Sequence, residues 1–345
     1  MGGLGDLIRR FSPSYGACVM GTGILAVTSK IYSVYLPILA TLSFIFTILN
    51  TLLALIITPL WVIRWIFYRK EAIDDLMHPV KTNFYPTLPI GFMILGMDYI
   101  VVMNSFTIGS FLWLVGAILT FVFGIIIPYN LFRSETVHLD HINPSIFIPP
   151  VGLIVIPVAG GIILPKLSGT LHDLMIFFNI VSWGSGFFIY LALLAVCVHR
   201  FLLHKPLPSV LAPTMWINLG PIGAGTVALY NLSTHTELFN DEMLYSFKAF
   251  LVVFWGSGVW WLLLAIIMTI HYIGRQGLPY APSWWAFTFP LGAYVAATHV
   301  IYMILGVKVF DYFGLLIYFL LLGLWLAAFQ GTLRRFLNSI KELTQ

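Results

Sequence analysis

The sequence predicts an all-α membrane protein, and three observations carry that prediction. Of its 345 residues 60% are hydrophobic and only 9% are charged, with a mean hydropathy of +0.96, which is a membrane composition. Apolar runs of about 18 or more residues recur from end to end, each long enough to cross a hydrocarbon core of roughly 30 Å as a helix. A short motif also recurs along the chain at the spacing of a helical hairpin, so the spans are expected to form one repeated unit. The whole chain, 1–345, then reads as a single transmembrane domain.

Ten spans are expected, at about 12–29, 36–66, 84–103, 110–131, 144–164, 172–199, 210–231, 244–271, 283–304 and 311–333. The first follows Arg9-Arg10 and contains Pro13, Gly16, Gly21 and Gly23; its length and flank do not suit a cleaved signal peptide. The second, fourth, sixth, eighth and tenth are long runs dominated by Leu, Ile and Phe. The connections are short, so consecutive spans form hairpins. With a cytoplasmic N-terminus, the inner segments hold Arg9, Arg10, Arg64, Arg69, Lys70, Lys81, Arg133, Arg200, Lys205, Arg275, Arg334, Arg335 and Lys341. The outer segments hold only Lys30, Lys166, Lys248 and Lys308. This positive-inside bias puts both termini in the cytoplasm and accounts for the formal charge of +4. No basic stripe with interleaved aromatics points to nucleic acid. Cys18 and Cys197 fall inside apolar runs, where a thiol behaves as a small hydrophobe.

The odd-numbered spans are rich in Pro and Gly and share a tripeptide, Pro-aliphatic-Gly. Its copies are Pro89-Ile90-Gly91, Pro150-Val151-Gly152, Pro221-Ile222-Gly223 and Pro290-Leu291-Gly292, with a looser version running from Pro13 to Gly16. Copies recur every 60 to 76 residues or so, about one hairpin, which implies five copies of a two-helix unit. A proline inside a helix frees the carbonyl four residues back and kinks the helix. Lipid does not tolerate a free carbonyl, so kinked helices belong where they face protein or a water-filled path. The expected architecture is five hairpins in quasi-five-fold arrangement, an inner ring of kinked odd spans lining a central pore and an outer ring of straighter even spans.

The segments Phe11 to Gly23, Asn143 to Gly152, Leu219 to Gly225 and Trp284-Trp-Ala-Phe-Thr-Phe-Pro-Leu-Gly292 resemble the tellurite-resistance and dicarboxylate transporter family. That family includes the bacterial tellurite-resistance protein, plant slow anion channels, and fungal malate and sulfite transporters. The resemblance covers nearly the whole chain, and its Trp-Trp-x-Phe-Thr-Phe-Pro segment is the most specific part. It implies a multi-pass protein of the cell membrane, a homotrimer with one pore per protomer, carrying small anions. Members are known in which a phenylalanine on the ninth helix, beside its proline, blocks the pore; the matching residue is Phe289. The expected substrate is a C4-dicarboxylate such as malate, with an inorganic anion channel or a sulfite or tellurite exporter as the alternative.

Aligning the units on their glycine yields layers. Three residues before it stand Pro13, Leu88, Pro149, Gly220 and Phe289, of which only Phe289 is bulky and aromatic. Seven residues after it stand Gly23, Asp98, Ala159, Tyr230 and His299, which makes Asp98 and His299 candidates for a proton-responsive site near the outer end. Fixed positive charge is nearly absent from the inner spans, so weak attraction is expected from Thr22, Asn218, Thr226 and Thr288, from backbone amides near the Pro-Gly breaks and from a positive cytoplasmic mouth. Neither a cofactor nor a metal is expected: Glu135, His138, Asp140 and His141 cluster only at a membrane edge, and no histidine pair within a span has haem-ligand spacing. Asp98 is the one acid well inside a span, apart from Asp173 and Asp311 at span ends, so the paired groups of an enzyme are missing.

Overall fold

The computed structural model describes residues 4–235 and 239–344. They form helices joined by short connections, with no strand among the described residues. Two helices are short, α1 (Leu4–Arg9) and α4 (Arg69–Met77). Ten are long: α2 (Gly16–Tyr32), α3 (Ile38–Phe67), α5 (Thr87–Val101), α6 (Phe106–Phe132), α7 (Ile148–Ile163), α8 (Gly169–Leu203), α9 (Leu219–Thr234), α10 (Asp241–Arg275), α11 (Thr288–Leu305) and α12 (Lys308–Thr344).

Eight helical segments are long and apolar enough to cross a membrane. The segments containing α2 and α9 are not among them. Their α-helices are only 17 and 16 residues long and carry Gly, Ser, Thr and Asn among their apolar residues.

The long helices fall into two sets by what covers them. In the spans containing α5, α7 and α11, 72%, 89% and 72% of the most apolar stretch is buried inside the protein; for α3, α6, α8, α10 and α12 the share is 22% to 39%. The second set instead exposes Leu55, Ile125, Phe188, Val253 and Leu316, as helices facing lipid do. The inner helices close a ring: α2 packs on α5, α5 on α7, α7 on α9, α9 on α11, and α11 back on α2. Each outer helix packs on its own inner partner and also on the inner helix of the following unit.

Each of those second contacts carries a side-chain hydrogen bond. Trp113 on α6 donates its indole N–H to the Ile156 carbonyl on α7 (2.9 Å), Trp183 on α8 to the Gly225 carbonyl on α9 (3.2 Å), and Trp255 on α10 to Thr298 Oγ1 on α11 (2.9 Å). Trp325 on α12 closes the circle by donating to Thr22 Oγ1 on α2 (3.0 Å). In the first unit the donor is Asn50 on α3, whose Nδ2 reaches Asp98 Oδ2 on α5 at 2.8 Å. Five outer-to-next-inner bonds thus tie the two rings together.

The inner helices all begin in the same way. Each is preceded by a 3₁₀ segment: Pro13–Tyr15, Lys81–Phe84, Pro144–Phe147, Ser209–Asn218 and Pro282–Phe287. Pro89, Pro150, Pro221 and Pro290 are each the third residue of the α-helix that follows. The kink expected at each proline therefore takes the form of a change of helix type. In the first turn of an α-helix a missing N–H leaves no hydrogen bond unmade.

The glycines of the motif serve close approach. A Cβ on Gly16 would lie 2.4 Å from the Leu88 backbone nitrogen on α5, and one on Gly223 2.4 Å from the Ala293 carbonyl carbon on α11. In lipid, where apolar surface gains little by leaving its solvent, such contacts carry helix association. Gly223→Val is expected to separate α9 from α11 and cost about 2 kcal/mol or more. The check is thermal unfolding in detergent; an unchanged Tm contradicts the contact.

Candidate functional site

The five inner helices start around one cavity. Its lining includes Ala17, Thr87, Ile148, Gly220 and Phe289, each the first or second residue of α2, α5, α7, α9 and α11 respectively. The space open to water centres is ≈ 40 Å³, enough for a few waters and too small for a C4-dicarboxylate. No charged side chain lines it. Its polar groups are hydroxyls already engaged: Ser14 Oγ is 2.7 Å from Ser12 Oγ, and Thr87 Oγ1 donates to the Pro13 carbonyl at 2.9 Å. Helix N-termini carry partial positive charge, and five converge here, though the first N–H groups of α2, α7, α9 and α11 are taken by carbonyls of the 3₁₀ segments before them.

Phe289 stands at this cavity and is 3% exposed. It also belongs to a buried apolar cluster with Met20 and Ile24 of α2, Ile94 of α5, Val151 and Ile154 of α7 and Ala224 of α9. Side chains from all five inner helices thus fill the interior beside the cavity. Pro290 lines the cavity with Phe289; Pro13, Gly16, Pro89, Gly91, Pro150, Gly152, Pro221, Gly223 and Gly292 are buried in helix contacts around it.

The other expected site residues lie elsewhere, and none of Thr22, Asp98, Asn218, Thr226, Thr288 and His299 lines this cavity. Thr22 accepts from Trp325. Thr226 and Thr288 return their hydroxyls to the carbonyls of Ile222 (2.8 Å) and Trp285 (2.7 Å). Asn218, the last residue of its 3₁₀ segment, is buried with Oδ1 unpartnered.

Asp98 and His299, equivalent by repeat position, are not brought together. Asp98 is fully buried, takes one hydrogen bond from Asn50 and leaves Oδ1 without a partner, as Asn50 leaves its own Oδ1. His299 Nδ1 lies 2.8 Å from Asp311 Oδ1, and the Tyr35 hydroxyl donates to Asp311 Oδ2 at 2.6 Å. Asp311 is 1% exposed, so this three-residue cluster joins α11, α12 and the α2–α3 connection.

Asn50, Tyr35 and Asp311 were not legible as site residues. Asn50 had a signal, an amide in the middle of a long apolar span. Asp311 stands in the sequence only as an acid at a span end, and packing alone reveals its burial.

A closed ring of buried helices wrapped by apolar, outward-facing ones defines a multi-pass membrane protein. The voltage-dependent anion channel family model matches residues 10–333. The chain belongs to this family of anion-moving membrane proteins, in keeping with the tellurite-resistance and dicarboxylate transporter resemblance carried by its motifs. An uncharacterized transporter of Methanocaldococcus jannaschii is 49% identical over 328 residues, covering 95% of each chain. A sulfite efflux pump of Arthroderma otae is 25% identical over 355 residues, covering 97% of this chain and 93% of its own. A malic acid transport protein of Schizosaccharomyces pombe is 25% identical over 359 residues, covering 97% of this chain and 80% of its own.

Asn50→Leu removes the donor to Asp98 and leaves its carboxyl group buried with no partner, so a loss of about 1–3 kcal/mol is expected. Thermal unfolding of the variant checks it, and wild-type stability contradicts the role assigned to the Asn50–Asp98 bond.

Proposed function

We propose that the protein moves small anions along the axis of the inner ring, with malate or a related C4-dicarboxylate as substrate and Phe289 as the gate. The observation that carries this reading is the convergence of five helix N-termini on a cavity that holds no fixed charge and stands against Phe289. An Arg or Lys there would hold an anion tightly and slow its passage; partial charges attract it and let it leave. The cavity is too small for the substrate, so the Phe289 ring and its neighbour Met20 must move aside during transport.

In this reading all ten long helices span the plasma membrane as five hairpins, with both termini cytoplasmic, and three copies of the chain assemble with one pore each. The two spans of lower hydropathy, around α2 and α9, sit inside the ring, where neighbouring helices shield them from lipid. Asp98 and His299 are proposed as proton-responsive positions, each acting through its own partner. The names of the fungal relatives favour a second substrate, sulfite, alongside malate.

Two measurements test this reading. Phe289→Ala is expected to raise anion flux into proteoliposomes several-fold; unchanged flux from a folded variant removes Phe289 as the gate. Asp98→Asn is expected to flatten the pH dependence of malate or sulfite uptake, and an unaltered pH profile counts against proton coupling at Asp98.

A further inference from the structure

Arg200, near the C-terminal end of α8, is 1% exposed. Its Nε is buried without a partner, and no described carboxylate forms an ion pair with it. Its aromatic company is Phe201, whose ring centroid lies 6.0 Å from the guanidinium carbon. A guanidinium stays charged at every accessible pH, so deprotonation offers no relief. A buried cation without a counter-charge is strongly unfavourable unless an anion meets it.

The repeat supplies a control within the same molecule. Arg200 lies 48 residues after Gly152, and Arg64 lies 48 residues after Gly16. Arg64 is also buried, but it has a counter-charge: it donates to Asp75 Oδ2 at 2.5 Å, to the Glu71 carbonyl at 3.2 Å and to the Arg9 carbonyl at 3.2 Å. Asp75 and Glu71 come from α4, an insertion after α3 that has no counterpart after α8. The acid nearest the end of α8, Asp140, is committed to His204 (2.7 Å) and Lys205 (3.0 Å), which hold its carboxyl group down at about 2.

We propose that Arg200 is an oxyanion-binding site, in which a carboxylate- or phosphate-type group from outside the chain takes the place that Asp75 holds beside Arg64. The flat guanidinium fork matches a planar carboxylate or two oxygens of a phosphate. The site lies at the same end as the Phe289 cavity, since α8 packs there on the Pro144–Phe147 segment that leads into α7. The same chemistry reaches this position either as a free oxyanion or as the phosphate of an anionic lipid.

The test is thermal unfolding of the full chain at constant ionic strength. One arm titrates inorganic phosphate or malate into delipidated protein in neutral detergent. The other compares nanodiscs of phosphatidylglycerol with nanodiscs of phosphatidylcholine. The expected result is a rise of a few degrees in Tm in at least one arm, which identifies the source, and its loss in Arg200→Gln. Arg200→Met, which buries no charge, is expected to unfold in anion-free buffer at or above the wild-type temperature and to show no anion response. The wild-type titration stands even where a variant does not fold: no rise in either arm overturns the proposal. A rise that persists in Arg200→Gln or Arg200→Met overturns it equally.

Discussion

One side-chain N–H from each outer helix to the inner helix of the next unit is the bond on which the rest of the structure depends. Four are tryptophan indoles, and the fifth is the amide of Asn50. A helix pair in lipid gains little from burying apolar surface, so packing and interhelical hydrogen bonds must hold it. These five run in one rotational sense, from each unit to its successor, and the last returns to the first. A chain of five hairpins would otherwise be free to open between α11 and α2; Trp325 on Thr22 and the α11–α2 contact close it.

Closure explains the chemistry at the centre. Because every inner helix starts with a 3₁₀ segment and turns α-helical two residues before its tripeptide proline, or just after Tyr15 in the first unit, the five α-helical N-termini arrive at one level. The cavity there is lined mostly by apolar side chains, among them Met20, Phe84, Trp285 and Phe289. Four threonines of the inner spans are spent on structure: Thr22 and Thr298 receive tryptophan N–H groups, and Thr226 and Thr288 bond to their own helices.

The buried and the outward-facing helices were legible in the sequence, because hydropathy and the Pro-aliphatic-Gly tripeptide report on lipid contact and close packing directly. The 3₁₀ lead-ins were not, since a proline marks a break without saying which side of it is α-helical. Phe289, singled out as the bulky aromatic of its layer, lines the cavity. The layer argument also paired Asp98 with His299, which share a repeat position yet answer to Asn50 and Asp311. Repeat position fixes height along the ring and leaves rotation about each helix axis open, and rotation decides which neighbour a side chain meets. Arg200 was counted only as an inside charge, because burial without a counter-charge depends on an insertion, α4, that one unit has and the other lacks.

The central claim is that anions pass through the ring of inner helices. The most direct test is thiol accessibility in a chain whose two native cysteines, both buried, are replaced by alanine. Single cysteines at the cavity positions Ala17, Val151 and Gly220 are compared with cysteines at the outward-facing Leu55 and Ile125. A small, membrane-impermeant anionic thiol reagent is expected to block flux through proteoliposomes at the first three and leave it unchanged at the other two. Flux that survives complete modification at all three cavity positions would contradict a path along the ring axis.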